Sequence, residues 1–67
     1  MIGIVLNGQP VEVAPGTLLK DLAAKFSLPA KAILVERNGE ALLHSEWPET
    51  PVAAGDRIEF IRMVAGG

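Results

Sequence analysis

The chain has no cysteine and a single histidine. Without cysteine there is neither a disulfide framework nor a thiolate metal site, and one histidine cannot make a histidine cluster. A reducing compartment fits that composition. A basic run is also missing: six Lys and Arg are scattered among eight Asp and Glu, for a formal net charge of −2. Neutralising phosphates requires a clustered basic face, so no nucleic-acid partner is expected. No apolar stretch approaches the roughly 18 residues of a membrane helix. The opening "MIGIVLNG" lacks the basic segment and apolar stretch of a secretory signal. The expectation is a soluble cytoplasmic protein with no membrane partner.

What is present is a short, apolar chain. Sixty-seven residues, 49% of them hydrophobic, predict one folded domain over residues 1–67, near the lower size limit for a self-sufficient core. So small a core leaves little margin for a strained, polar active site.

"IGIVLNGQPVEV" opens with Ile2, Ile4 and Leu6 on one face of a strand and Gly3, Val5 and Asn7 on the other. Asn7-Gly8 predicts a type I′ hairpin turn. Pro10 then requires the returning strand, Val11 to Val13, to lie at an edge or to start late. In "APGTLLKDLAAKFSLP" the period changes. Pro15-Gly16 makes a turn, Thr17 is placed to cap a helix, and Leu18, Leu19, Leu22, Ala23 and Phe26 form one helical stripe. Asp21 and Lys25 are spaced for an ion pair on the opposite side, and Pro29 closes the helix. Strand character returns at Ile33 to Arg37, turns at Asn38-Gly39, and resumes near Ala41 to Leu43. "HSEWPETPVAAGD" reads as a loop broken by Pro48 and Pro51 and pinned by Trp47, and Gly55-Asp56 launches a last strand.

The order strand, strand, helix, strand, short strand, strand gives one helix to cover one sheet face, leaving the other to solvent. In the last strand Ile58 and Phe60 have core parity, while Arg57, Glu59, Ile61 and Met63 face away from the helix. With Val5 on a neighbouring first strand, Ile61 and Met63 would form an apolar patch. Arg62 has core parity, which fits a strand leaving the core there with the arginine head in water.

No catalytic set is expected. His44, Ser45 and Glu46 are consecutive, and a hydrolytic triad needs members converging from separate elements. EF-hand spacing is missing. The remaining candidate is the chain end. A carboxylate resists nucleophiles, but joined to AMP it becomes an acyl group with a good leaving group. Glycine there removes Cβ, so the tail can thread a narrow channel and the carbonyl stays open to attack.

In this order of elements, and in "LNGQPVEV", "GTLLKDL", "VERNGEALLHSEW" and "GDRIEFIRMVAGG", the chain resembles the ubiquitin-like sulfur carriers of the ThiS family of thiamine biosynthesis. These segments cover most of the chain. The specific part is Val64-Ala65-Gly66-Gly67 after a strand opened by Gly55-Asp56. One departure is visible: Leu43-His44 stands where the family often has Pro-Arg.

The resemblance implies an α+β fold of the β-grasp type, a mixed sheet of four to five strands with one main helix on one face, and residues 64–67 as a flexible tail. It implies a ThiF-like adenylating enzyme that uses ATP on the Gly67 carboxylate. A sulfur relay from a cysteine desulfurase then gives a thiocarboxylate, and a thiazole synthase (ThiG) takes the sulfur. Val64, Ala65 and Gly66 would thread the partner's active site. The partner surface would be the exposed sheet face leading into the tail, where parity places Ile61 and Met63, with Val5. On this reading the chain is a co-substrate with no catalytic residue, bound cofactor or metal of its own. The alternatives are a carrier for molybdopterin, tRNA thiolation or cysteine synthesis, a ubiquitin-like protein modifier, and a β-grasp binding module whose tail is incidental.

Overall fold

Both Asn-Gly dipeptides form the turns expected of them. Asn7 and Asn38 adopt positive φ (49° and 52°), followed by Gly8 and Gly39 at 80° and 86°, the paired left-handed conformations of a type I′ turn. The computed structural model describes residues 1–26 and 33–62. The first turn joins β1 (Ile2–Leu6) to β2 (Gln9–Val13), and the second joins β3 (Ile33–Arg37) to β4 (Glu40–Leu42). With β5 (Arg57–Arg62) these strands make a five-stranded sheet in the order β2-β1-β5-β3-β4. The last strand is therefore the central one, parallel to β1 and antiparallel to β3. Pro10 lies on edge strand β2, where a residue without an N–H is tolerated.

The single α-helix, α1 (Leu19–Lys25), buries Leu19, Leu22 and Ala23. It covers the sheet face that carries Ile4, Leu6, Val13, Ile33, Val35, Ile58 and Phe60, and all of these belong to one buried cluster. This is the mixed-sheet, one-helix α+β arrangement of a β-grasp. The opposite face, with Gly3, Glu12, Arg57 and Glu59, is exposed.

Four local expectations are corrected. Thr17 does not cap α1. Its hydroxyl donates to the carbonyl of Ala14 at 2.7 Å, closing the Pro15-Gly16 turn. The helix starts one residue later, with Leu18 as N-cap and no side-chain cap. An N–H left orphaned at its start, that of Leu19, donates instead to the Thr50 carbonyl at 3.0 Å, so tertiary pairing replaces the local cap. Phe26 is not core: the helix ends at Lys25, and Phe26 stands 44% exposed. Asp21 approaches Lys20, at 4.0 Å between exposed side chains, a geometry that contributes little. Pro29 lies outside the described residues.

The fourth correction concerns residues 44–49, which form a 3₁₀ helix, His44–Glu49, with Pro48 inside it. Proline removes one backbone donor, a loss of about 1 kcal/mol. Burying an aromatic side chain gains roughly 2–3 kcal/mol, and Trp47 is 2% exposed. Burial therefore decides the conformation. Glu46 strengthens the start, its Oε1 accepting from the Leu43 N–H at 2.8 Å. Trp47 meets Phe60 of β5 edge-on, ring centroids 6.2 Å apart, and its indole N–H has no partner among the described residues.

These placements separate two neighbouring apolar residues. Leu22→Ala is expected to cost about 2–4 kcal/mol in denaturant unfolding, against less than about 1 kcal/mol for Phe26→Ala. Equal losses would return Phe26 to the core.

Candidate functional site

β5 leads to the carboxyl terminus, and its start is fixed by one buried carboxylate. Asp56, 6% exposed, accepts from the Ala53 N–H at 2.8 Å, the Arg37 Nε at 2.9 Å and the Asn38 Nδ2 at 3.1 Å. Burial alone would push this carboxyl up. Hydrogen bonds from the Ala53 backbone, Asn38 and Arg37, with the Arg37 charge, outweigh it and hold Asp56 below the ordinary aspartate range. A group that accepts three donors on separate segments ties those segments together. Here they are the loop before β5, the end of β3 and the β3–β4 turn.

Both turn asparagines also bond the backbone of β5. Asn38 accepts the Arg57 N–H on its Oδ1 at 2.9 Å, and donates its own N–H to the Arg57 carbonyl at 2.8 Å. Asn7 donates its N–H to the Ile58 carbonyl at 2.9 Å and accepts the Phe60 N–H on Oδ1 at 2.8 Å. In a parallel ladder one residue bonds the carbonyl of its partner's predecessor and the N–H of its successor. Asn7 does both, but its main chain is already turning, so the side-chain oxygen takes the place of the carbonyl. The sheet thus follows β5 one residue further than β1 itself reaches.

The regular parallel pairing covers only Val5 with Arg57 and Leu6 with Ile58. Val5 and Ile61 share the helix-free face, but four residues separate Arg57 from Ile61, about 13 Å along a strand. The structure therefore sets Val5, half-buried, at the start of β5 and Ile61, 38% exposed, at its far end. Beside Ile61 it places Leu34, its register partner on β3. Leu34 was missed in the sequence, although extending the β3 parity from Ile33 and Val35 would have marked it. Arg62 is exposed at the last described position. Met63, Val64, Ala65, Gly66 and Gly67 lie outside the described residues.

A family model described as the ThiS family matches residues 4–67. The chain belongs to the ThiS family. It is 34% identical over 62 residues to the sulfur carrier protein ThiS of Thermus thermophilus, covering 92% of this chain and 95% of that one. To the ThiS of Bacillus subtilis it is 35% identical over 63 residues, covering 92% and 96%. The crystal structure of ThiS from Geobacter metallireducens superposes with a TM-score of 0.86 at 30% identity, covering 98% of this chain and all of that one. A thiazole synthase of Paramagnetospirillum magneticum matches 96% of this chain over 20% of its own length, at 25% identity.

Two measurements test the anchoring of the ThiS-type strand. The folded pKa of Asp56 is depressed, so its stabilisation is complete above the unfolded value of about 3.9 and is lost as pH falls through the folded value. Asp56→Asn is expected to lose about 1–3 kcal/mol at neutral pH, and its unfolding curve should converge on the wild type in acid. A gap independent of pH would mean that the carboxylate charge is not what matters. Asn7→Gly keeps the turn but removes Oδ1. It is expected to cost about 1 kcal/mol and to speed hydrogen exchange at the Phe60 amide. Unchanged exchange there would refute the bond's role.

Proposed function

We propose that the chain is a sulfur carrier of thiamine biosynthesis, loaded and unloaded at the carboxylate of Gly67. The observation that carries this is the ThiS-family match running through residue 67. The absence of cysteine is consistent with it, because this chain cannot hold sulfur as a persulfide of its own. The carboxyl terminus is then the group to which sulfur attaches.

The chemistry follows from the acyl group. On a ThiF-like adenylating enzyme, a Gly67 carboxylate oxygen attacks the α-phosphorus of ATP and pyrophosphate leaves. The acyl-adenylate carbonyl is now electrophilic. The terminal sulfur of a partner persulfide, supplied by a relay from a cysteine desulfurase, attacks it and AMP leaves. A second partner thiol reduces the acyl disulfide, releasing the thiocarboxylate and leaving a disulfide on the partner. A thiazole synthase (ThiG) takes the sulfur, an acceptor supported by the match to part of a thiazole synthase. The chain is a co-substrate throughout, working in the cytoplasm with ATP consumed by its partner and no cofactor of its own.

Gly66, Ala65 and Val64 thread the partner's active site, where absent or small side chains let the backbone approach closely. Docking uses the helix-free face, with Ile61 at the tail end of β5 and Val5 at the other end of the strand; strand parity in the sequence adds Met63 to that set. At its tail end β5 is paired with β3, Ile61 with Leu34 and Arg62 with Ile33, which holds the base of the tail while its end is handled.

Incubation with a ThiF-like enzyme, ATP and a sulfur source should produce an oxygen-to-sulfur mass increase confined to the C-terminal fragment, and deleting Gly67 should abolish it. No adduct on the intact chain would overturn the reading. Ile61→Asp is expected to slow activation about tenfold or more while circular dichroism shows a folded domain. Normal activation would remove Ile61 from the docking face.

A further inference from the structure

On the helix-free face, Glu36 of β3 and Glu59 of β5 are direct register partners. Residues so placed have Cβ atoms about 5 Å apart, and like charges there are destabilising. Among the described residues the ion pairs are Lys20 with Asp21 and Arg37 with Asp56. Neither involves these glutamates. Together with Asn38, Gly39 and Arg57 they line a shallow depression on this face. The next pair on the same face, toward the carboxyl terminus, is Leu34 with Ile61. β5 thus presents, in order, a cation, two opposed carboxylates and an apolar pair, and then continues toward the tail.

We propose that this row recognises the activating enzyme through a basic side chain, an arginine or lysine, seated across Glu36 and Glu59, with an apolar contact on Leu34 and Ile61. The inference rests on the carrier reading and adds to it the chemistry of the partner surface. Charge complementarity selects the occupant: one cation across both carboxylates offsets like charges placed directly opposite each other. Two carboxylates beside an arginine are a poor site for a hard divalent cation, which takes six or more oxygen ligands. A guanidinium suits them better, because its planar fork can face two carboxylates at once. Continuity with the tail selects the enzyme that must hold both the surface and the terminal carboxylate.

The test is steady-state adenylation of the full chain by a ThiF-like enzyme, comparing wild type with Glu36→Gln, Glu59→Gln and the double variant. The double variant is expected to raise KM for the carrier about tenfold at low salt with kcat retained, and the difference should shrink as salt rises. Its melting temperature should be unchanged or higher, since a like-charge pair has been removed. Should the double variant melt lower, Glu59→Gln alone, at an exposed position, is read in the same way. An unchanged KM at low salt, or a loss confined to kcat, overturns the proposal while the carrier reading stands. Failure of the wild type to be adenylated overturns both.

Discussion

The Asp56 carboxylate with its three donors is the interaction on which the placement of everything else depends. It is ionised in a buried position because the Ala53 N–H, Asn38 and Arg37 converge on it. Asn38 bonds Asp56 with its amide nitrogen and the Arg57 N–H with its amide oxygen, so one side chain sets the starting point of β5 against the end of β3. The consequence is register. A slip of one residue would turn Ile58 and Phe60 out to the helix-free face and bring Glu59 and Ile61 into the core. Neither the buried cluster nor the exposed row of charges and apolar groups would survive that exchange.

A second constraint comes from having one helix for a sheet with two faces. α1 and the 3₁₀ helix cover one face, and the core of this small domain is built there. The other face is left with no structural duty beyond its own cross-strand contacts. Residues on it can serve a partner without opening cavities in the core, and Ile61, Leu34, Glu36 and Glu59 lie together on that face. The polar network that aims β5 is kept at the end of the sheet where the strand begins, away from the end that leads to the terminus.

Much of this architecture was legible in the sequence because it rests on local signals. Asn-Gly twice, alternation in each strand, and the apolar stripe from Leu19 to Ala23 each specify a conformation with little outside help, and Pro10 on an edge strand follows from its missing donor. What escaped was what distant segments decide. Thr17 looks like a cap until the Thr50 carbonyl supplies the bond that Leu19 needs. The segment around Pro48 looks irregular until the burial of Trp47 is weighed against one lost hydrogen bond. Asn7 and Asn38 were readable as turn residues, but their side-chain bonds to β5 span 53 and 19 residues, and no local pattern encodes such a reach. For the same reason Val5 and Ile61 share a face as parity required, yet only the length of the parallel ladder shows that they stand at opposite ends of a strand.

The scale of the exposed row bears on how a carrier can be recognised. On the proposed reading one surface meets an enzyme that loads the tail and then another that empties it, so neither complex can be long-lived. Tight binding would come from a large buried apolar area, which lengthens residence, since affinity differences among related complexes fall mostly in the dissociation rate. A pair of apolar side chains beside two carboxylates offers the opposite balance. Little apolar area is buried, while the charges speed encounter and penalise partners of the wrong sign. The placement of Glu36 directly opposite Glu59 then has a physical role. On the proposed reading, two opposed glutamates that make no ion pair among the described residues leave a cationic partner an interaction to make.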